Sequence, residues 1–323
     1  MEKLAKENVK KTAEKKGKAA LWREIKRNKV AYAYIAPFYI LFAVFSLFPM
    51  AAGFYISFFR WDGISEMRFL GLTNYVNLFA DPLFWTALKN TVFIGIIAHI
   101  PILLGGLALA YLLNSSLVKG SNLFKTVYFM PMVTSSVAVS VIFMNLFGNN
   151  YGMINYIIKI FGGETVNWLG GDGGYIKAAV ITMFAWKWVG WNMVIYLSGM
   201  QGISNDIYEA ATIDGANHVT IFFRITVPLL KPIILFTLVQ SCIGMFNLFT
   251  EPFILTSSSW SGGAGNNGLV LMTYLLNKAP MGGTAYGYAS ACAYVITLLI
   301  IFFSILFNGV FTEKEKSGER RRS

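Results

Sequence analysis

Four stretches of this chain carry no Asp, Glu, Lys or Arg: those between Lys29 and Arg60, between Lys89 and Lys119, between Lys125 and Lys159, and from Ala279 to Thr312. Each exceeds the roughly 20 residues that cross hydrocarbon as a helix. The chain as a whole agrees, with 55% hydrophobic and only 13% charged residues among 323, where a globular protein carries about 25% charged. It therefore reads as an integral membrane protein. The runs are apolar all round and do not alternate in ten-residue segments, which excludes barrel strands. Helices satisfy their own backbone groups, as lipid requires. Two less clean spans, near Ala178 to Met200 with Lys187 inside it and near Thr226 to Phe249, bring the expected number of helices to six.

Charge sets the expected orientation. Residues 1–29 hold eleven Lys or Arg against four Glu, and Glu313 to Ser323 hold five against three, which accounts for most of the net +11. Positive flanks stay on the cytoplasmic side. Both termini are then cytoplasmic, as an even number of spans demands, in a multi-pass protein of the cytoplasmic membrane. The expected organisation is a basic tail over 1–29, a six-helix domain over 30–311 with a cytoplasmic loop over 201–225, and a second basic tail over 312–323. Loops 60–88, 149–176 and 250–284 fall outside. The basic ends serve topology and attraction to anionic lipid headgroups, and nucleic acid is not an expected partner. The first apolar run is too long for a signal peptide and is read as a retained anchor. Cys242 and Cys292 lie within expected helices, where a disulfide framework has no place, and His99 and His218 lack companions at ligand spacing, so no metal site is expected.

The most patterned polar segment is Glu209 to Pro232, EAATIDGANHVTIFFRITVPLLKP. Asp206 and Glu209 have the spacing of a capping box, with Asp206 at the cap. The short helix that follows should stop at Asp214-Gly215, where glycine permits a positive φ. Asn217 can cap a second short helix through Phe222. Pro228 and Pro232 are tolerable near the start of the fifth span.

Glu209-Ala210-Ala211, Gly215 after three residues, then nine residues, Ile225, one residue, Val227 in a usual Leu position and Pro228 together resemble the EAA signature of importer-type ATP-binding-cassette permeases. The longer EAATIDGA with Phe222 and Pro228-Leu-Leu-Lys-Pro is similar to the carbohydrate-uptake branch and its maltose-, lactose- or glycerol-phosphate-type first permease subunit. Trp186-Lys187, Gly190-Trp191-Asn192-Met193 and Gly287-Tyr-Ala-Ser-Ala agree with it. The resemblance covers about Ala31 to Phe311. It implies an all-α, type I importer permease fold in which the matched loop is a coupling helix seated in an ATP-binding subunit. Glu209, Ala210, Ala211, Asp214, Gly215, Ala216, Phe222 and Pro228 would then serve ATPase coupling. Thr220 departs from the family, where Gln is common. The implied partners are a second homologous permease, two ATP-binding subunits, an extracytoplasmic solute-binding lipoprotein or periplasmic protein, and membrane lipids.

The chain contains no GxxxxGK[ST] loop to cradle phosphates. It is expected to be non-catalytic and to bind no cofactor, with ATP and Mg held by the partner ATPases; Leu197-Ser-Gly-Met-Gln201 closes a membrane helix and only mimics an ATPase signature. For the substrate path the resemblance points to Ser136, Trp188, Trp191, Ser241, Gly244, Met245 and Leu248. The last four also fall on one helical face by spacing. Packing against a partner permease would use the same face. Lys187, Asn192 and Asn247 are possible accessories. Lys187 either faces a partner helix or wet cavity, or snorkels between indoles to set helix depth. The loop Ser257 to Gly268 occupies the place where the family meets its binding protein. The expected function is import of a sugar, an oligosaccharide delivered by that protein, driven by ATP hydrolysed elsewhere. A glycerol-phosphate-like solute, or a self-contained helical channel with polar pore stripes, are the alternatives.

Overall fold

The computed structural model describes residues 26–114, 118–170, 174–278 and 286–319. The basic segment over 1–25 and the last residues, 320–323, lie outside the described residues, as does part of the loop after Lys278.

The first span, α1 (Lys29–Ile56), forms a unit by itself. It contains Pro37 and Pro49, which kink a helix unless neighbours accept the freed carbonyls. Pro37 instead sits inside regular helix, and the irregularity is a π turn over Ala43–Leu47, ending two residues before Pro49. Widening the ladder by one residue accommodates the missing donor that Pro49 brings.

The second unit begins at Ser57. A two-residue antiparallel pair, β1 (Phe59–Arg60) with β2 (Arg68–Phe69), closes a small hairpin. Helix α2 (Thr73–Ala80) follows and includes Asn74 and Tyr75. Asn74 is buried and its amide donates to the carbonyls of Ser57 and Phe59 at 2.8 and 2.9 Å, which holds α2 to the hairpin. The Asp81-Pro82 turn is present and starts α3 (Pro82–Asn114). Then come α4 (Ser121–Val133), α5 (Ser136–Leu146), α6 (Met153–Ile160), α7 (Tyr175–Gln201), α8 (Asn205–Ile213), α9 (His218–Leu229), α10 (Lys231–Phe246), α11 (Thr250–Leu255), α12 (Leu271–Lys278) and α13 (Tyr286–Glu319). Helix α6 lies in a loop that carried no legible pattern; Asn155 braces it, its side chain bonding Val166 and the Trp168 indole.

Among the described residues four helices are long and apolar enough to cross a membrane: α1, α3, α7 and residues 286–306 of α13. The third and fifth spans are each broken, α4 from α5 by 97° and α9 from α10 by 70°, and the total reaches six when each bent pair is one span. The first break falls at Thr134 and Ser135, whose backbones are extended, three residues beyond Pro131. As expected from their spacing, Thr134 and Ser140 return their hydroxyls to the carbonyls of Met130 and Ser136. The second break is at Leu230, two residues before Pro232, whose ring would clash with the carbonyl four residues back in a continuous helix.

The most extensive helix pairing is α3 with α7. Within lipid, apolar surface gains little from meeting apolar surface, so close backbone approach decides such contacts. Gly106 supplies it: a Cβ there would lie 2.9 Å from that of Asn192 and 3.1 Å from the Met193 amide. Around this pair sit three packed clusters. One joins Ile94, Ala98 and Ile102 of α3 to Val139, Phe143, Val180 and Met183. A second gathers Leu78, Phe84, Cys242, Phe246, Tyr274 and Cys292. The third, Leu107, Ala110, Tyr196, Met200 and Leu230, has Ile203, Phe222 and Val227 packed against it.

At one end of α3 a polar cluster ties distant segments together. Tyr274 donates to Asp81 at 2.7 Å and Lys278 lies 3.3 Å from the same carboxyl. Burial pushes the Asp81 carboxyl up, but Tyr274, the Leu83 amide and the Lys278 ammonium together hold it below its ordinary value. A depressed carboxyl stabilises the fold at pH values above its unfolded pKa, about 3.9, and that contribution disappears as pH falls through the folded value. Asp81→Asn should therefore lower thermal stability at pH 7 by about 1–2 kcal/mol, with the gap from wild type closing as melts approach pH 3.

Candidate functional site

Two regions concentrate the residues singled out by sequence. The first runs from α8 into α10. Helix α7 closes through bonds from the Gly202 and Ile203 amides to Gly199 and Met200, which leaves Ser204 as the first extended residue. Ser204, and not Asp206, is thus the cap of α8: its hydroxyl accepts from the Asp206 amide at 3.3 Å, and Asp206 sits in the first turn. The other end is as the sequence suggests. Gly215 has φ +77°, the Gly215 amide bonds Thr212, and the Ala216 amide bonds Ala211 at 2.9 Å. Those two bonds make a Schellman stop. Asn217 caps α9, accepting from the Thr220 amide at 2.8 Å.

This helix-turn-helix is anchored to α3 and left bare on its other side. Tyr111 donates to the His218 carbonyl at 3.0 Å and meets the Phe222 ring at 4.8 Å. Ala211 is buried and packs inward, while Glu209, Ala210, Asp214, Gly215 and Pro228 are exposed and Ala216 and Phe222 half-buried. Ile213 is 86% exposed, with Val219 and Phe223 also bare beside the acidic residues. Small, apolar and acidic groups thus lie together on the bare side of a short capped helix, and contiguous exposed apolar surface of this kind is a candidate interaction site.

The second region is a cavity of about 360 Å³ between α3, α5, α7, α10 and α11. Six of the seven residues expected on the substrate path line it: Ser136, Trp188, Trp191, Ser241, Gly244 and Leu248. Met245 does not. It is buried against α3, filling the space that Gly95 leaves, since a side chain on Gly95 would collide with it. Asn192 and Asn247 line the cavity, though each donates locally, to the carbonyls of Trp188 and Ile243. Lys187 is 4% exposed and donates to Ser136, so it faces inward and does not snorkel. Trp188 contributes an indole Nε1 that is buried without a partner.

Five polar cavity residues escaped the sequence reading: His99, Thr237, Gln240, Thr250 and Glu251. His99 looked like a lone mid-helix residue; its Nδ1 lies 2.7 Å from the Gly95 carbonyl, which can only accept. Glu251 offered one signal, as the lone carboxylate between Asp214 and Glu313. Near the cavity, Asn90 holds the loop after α11 by donating to the Asn266 and Leu269 carbonyls, both at 2.9 Å.

A short capped helix with a bare face, and a polar cavity among apolar helices, are the two features to be set against known proteins. The family model for the inner membrane component of binding-protein-dependent transport systems matches residues 102–314. The chain belongs to this permease family. Its multi-pass architecture follows from the same match and the apolar helices. The permease is 37% identical over 278 residues to a lactose transport system permease protein of Rhizobium radiobacter, covering 85% of this chain and 91% of the relative. It is equally 37% identical to the arabinooligosaccharides transport system permease protein of Bacillus subtilis, over 88% of this chain and 90% of that one. Among solved structures, it matches a bacterial transporter involved in import of the acidic polysaccharide alginate with a TM-score of 0.76 at 24% identity, over 91% and 99% of the two chains. A second structure of a bacterial alginate transporter, in complex with an alginate pentasaccharide-bound periplasmic protein, gives 0.74 at 25%, over 90% and 96%. The expected type I importer permease fold is thereby established for the permease.

Proposed function

We propose that this permease imports an oligosaccharide delivered by an extracytoplasmic solute-binding protein, with a second homologous permease and two ATP-binding subunits completing the machine. The observation that carries the reading is the cavity: Trp188 and Trp191 offer indole surface of the kind that covers sugar rings, next to the hydroxyl and amides of Ser241, Asn192 and Asn247. Apolar walls with a few convergent polar groups are the usual composition of a small-ligand site. The names of the relatives, lactose and arabinooligosaccharide permeases, support the same substrate class.

In this reading both termini and α8 face the cytoplasm, and the bare side of α8 takes the groove of an ATP-binding subunit. Glu209, Ala210, Asp214 and Gly215 make the contact, with Ala216, Phe222 and Pro228 shaping it and Ala211 packing behind it. ATP and Mg stay on the partners. Closure of the ATPase dimer pulls α8, and α9 and α10 carry the motion to the cavity wall. The loop Ser257 to Gly268 meets the binding protein.

The test is uptake by the complete complex reconstituted in proteoliposomes. Sugar-loaded binding protein should stimulate ATP hydrolysis and internal accumulation of labelled oligosaccharide. Accumulation without ATP, as a channel would allow, would sink the proposal.

A further inference from the structure

Among the described residues, Lys187 and Glu251 are the two charged side chains buried around the cavity, 4% and 6% exposed. They come from different helices, α7 and α11, and meet at Ser136, the first residue of α5. Lys187 Nζ donates to Ser136 Oγ, while the Glu251 carboxyl interacts with both Ser136 and the Lys187 ammonium. Only because the third span breaks at Thr134–Ser135 does the start of α5 reach this point.

Apart from this pair the described lining holds no Lys, Arg, Asp or Glu: its polar groups include His99, whose Nδ1 is engaged by the Gly95 carbonyl, Trp188 with its partnerless Nε1, and Ser241, Gln240 and Asn247 on α10 and just after it. A buried Lys beside a buried Glu leaves no net charge, whichever of the two holds the shared proton, and satisfies the pair's hydrogen-bonding demand locally. What is left for a solute among the described lining residues is a set of donors and acceptors with no free Lys or Arg. An entering carboxylate would lose its hydration and find Glu251 already in possession of Lys187.

We infer that Glu251 is a specificity-determining residue: by pairing with Lys187 through Ser136 it keeps the cavity electrically balanced and restricts it to uncharged, hydroxyl-rich sugars, rejecting uronic acids. This rests on the sugar reading given above and narrows it to a substrate class.

The test bypasses the binding protein, which makes its own selection. Purified complete complex, without binding protein, is titrated by equilibrium dialysis with labelled maltotriose, arabinotriose and trigalacturonate. Wild type should prefer at least one neutral trisaccharide over the uronate by about tenfold or more. Glu251→Gln, which frees Lys187, should shrink that ratio by about tenfold through tighter uronate binding. The double variant Lys187→Met with Glu251→Gln, uncharged again, should restore it. If Glu251→Gln fails to assemble, Glu251→Ala removes the same charge. A Glu251 that merely held the helices together would weaken all three ligands alike, so an assembled variant with an unmoved ratio overturns the inference while leaving the sugar reading intact. Wild-type complex that binds none of the three would overturn the sugar reading and this inference together.

Discussion

Gly190→Val should remove almost all folded permease from the membrane. Gly190 lies where α7 crosses α4, and a Cβ built on it would run into the Tyr128 carbonyl oxygen and its carbon. The obstacle is backbone of another helix, so no rotamer change relieves it. Overpacking of a yielding core costs about 1–3 kcal/mol; separating two main chains exceeds that and consumes much of the roughly 5–15 kcal/mol that holds a domain together. Size-exclusion profiles of detergent-extracted protein should show the monodisperse peak lost. Gly244→Ala is the contrast. Nothing lies within 4 Å of a Cβ there, and alanine favours helix over glycine by about 0.5–1 kcal/mol, so that peak should be retained. A monodisperse Gly190→Val protein would mean that α4 and α7 do not cross as described.

Glu209→Lys should uncouple ATP hydrolysis from transport while leaving the permease folded. Glu209 is exposed in the middle of α8, so its reversal disturbs no internal packing, and surface substitutions of this kind move stability by about 0.5 kcal/mol or less. Its effect belongs to the docking surface. Reversing a charge that meets a basic groove exchanges attraction for repulsion, about 2–5 kcal/mol for a desolvated pair, or on the order of 30-fold or more in affinity. The measurement is binding-protein-stimulated ATPase activity together with co-purification of the ATP-binding subunits. Both should fall steeply while the thermal melt of the permease itself stays put. Wild-type coupling in this variant would end the assignment of α8 as the transmission element.

How much of this could be read from residues alone depended on what the bilayer forbids. Charge exclusion marks the spans with little ambiguity, because a stray Lys or Asp in lipid is costly wherever the helix points. Helix ends outside lipid were legible for a similar reason: Gly215 and Asn217 have local jobs that only a few residue types can perform. Ser204 shows the limit, since two competent caps stood two residues apart and the closing turn of α7 chose between them. The breaks were less legible. Pro37, Pro101 and Pro131 all lie inside helices, whereas the sharpest bend follows Thr134, with no proline at it. Tertiary contacts at Ser136 and around α11 decide that bend, and periodicity carries no trace of them. Met245 makes the same point within the cavity: spacing placed it on the substrate face, and a glycine 150 residues earlier drew it to the other side.

The interrupted third span has an electrical consequence. Non-helical backbone at membrane depth occurs only where protein or water covers it, and a polar recess filled with water at Ser136 would thin the insulating layer there. The membrane voltage must fall across what remains closed. A fixed charge carried through that layer meets about 2.3 kcal/mol of work for every 100 mV. A neutral sugar passing the balanced Lys187 and Glu251 does none, and its import is then independent of the membrane potential and answers only to ATP.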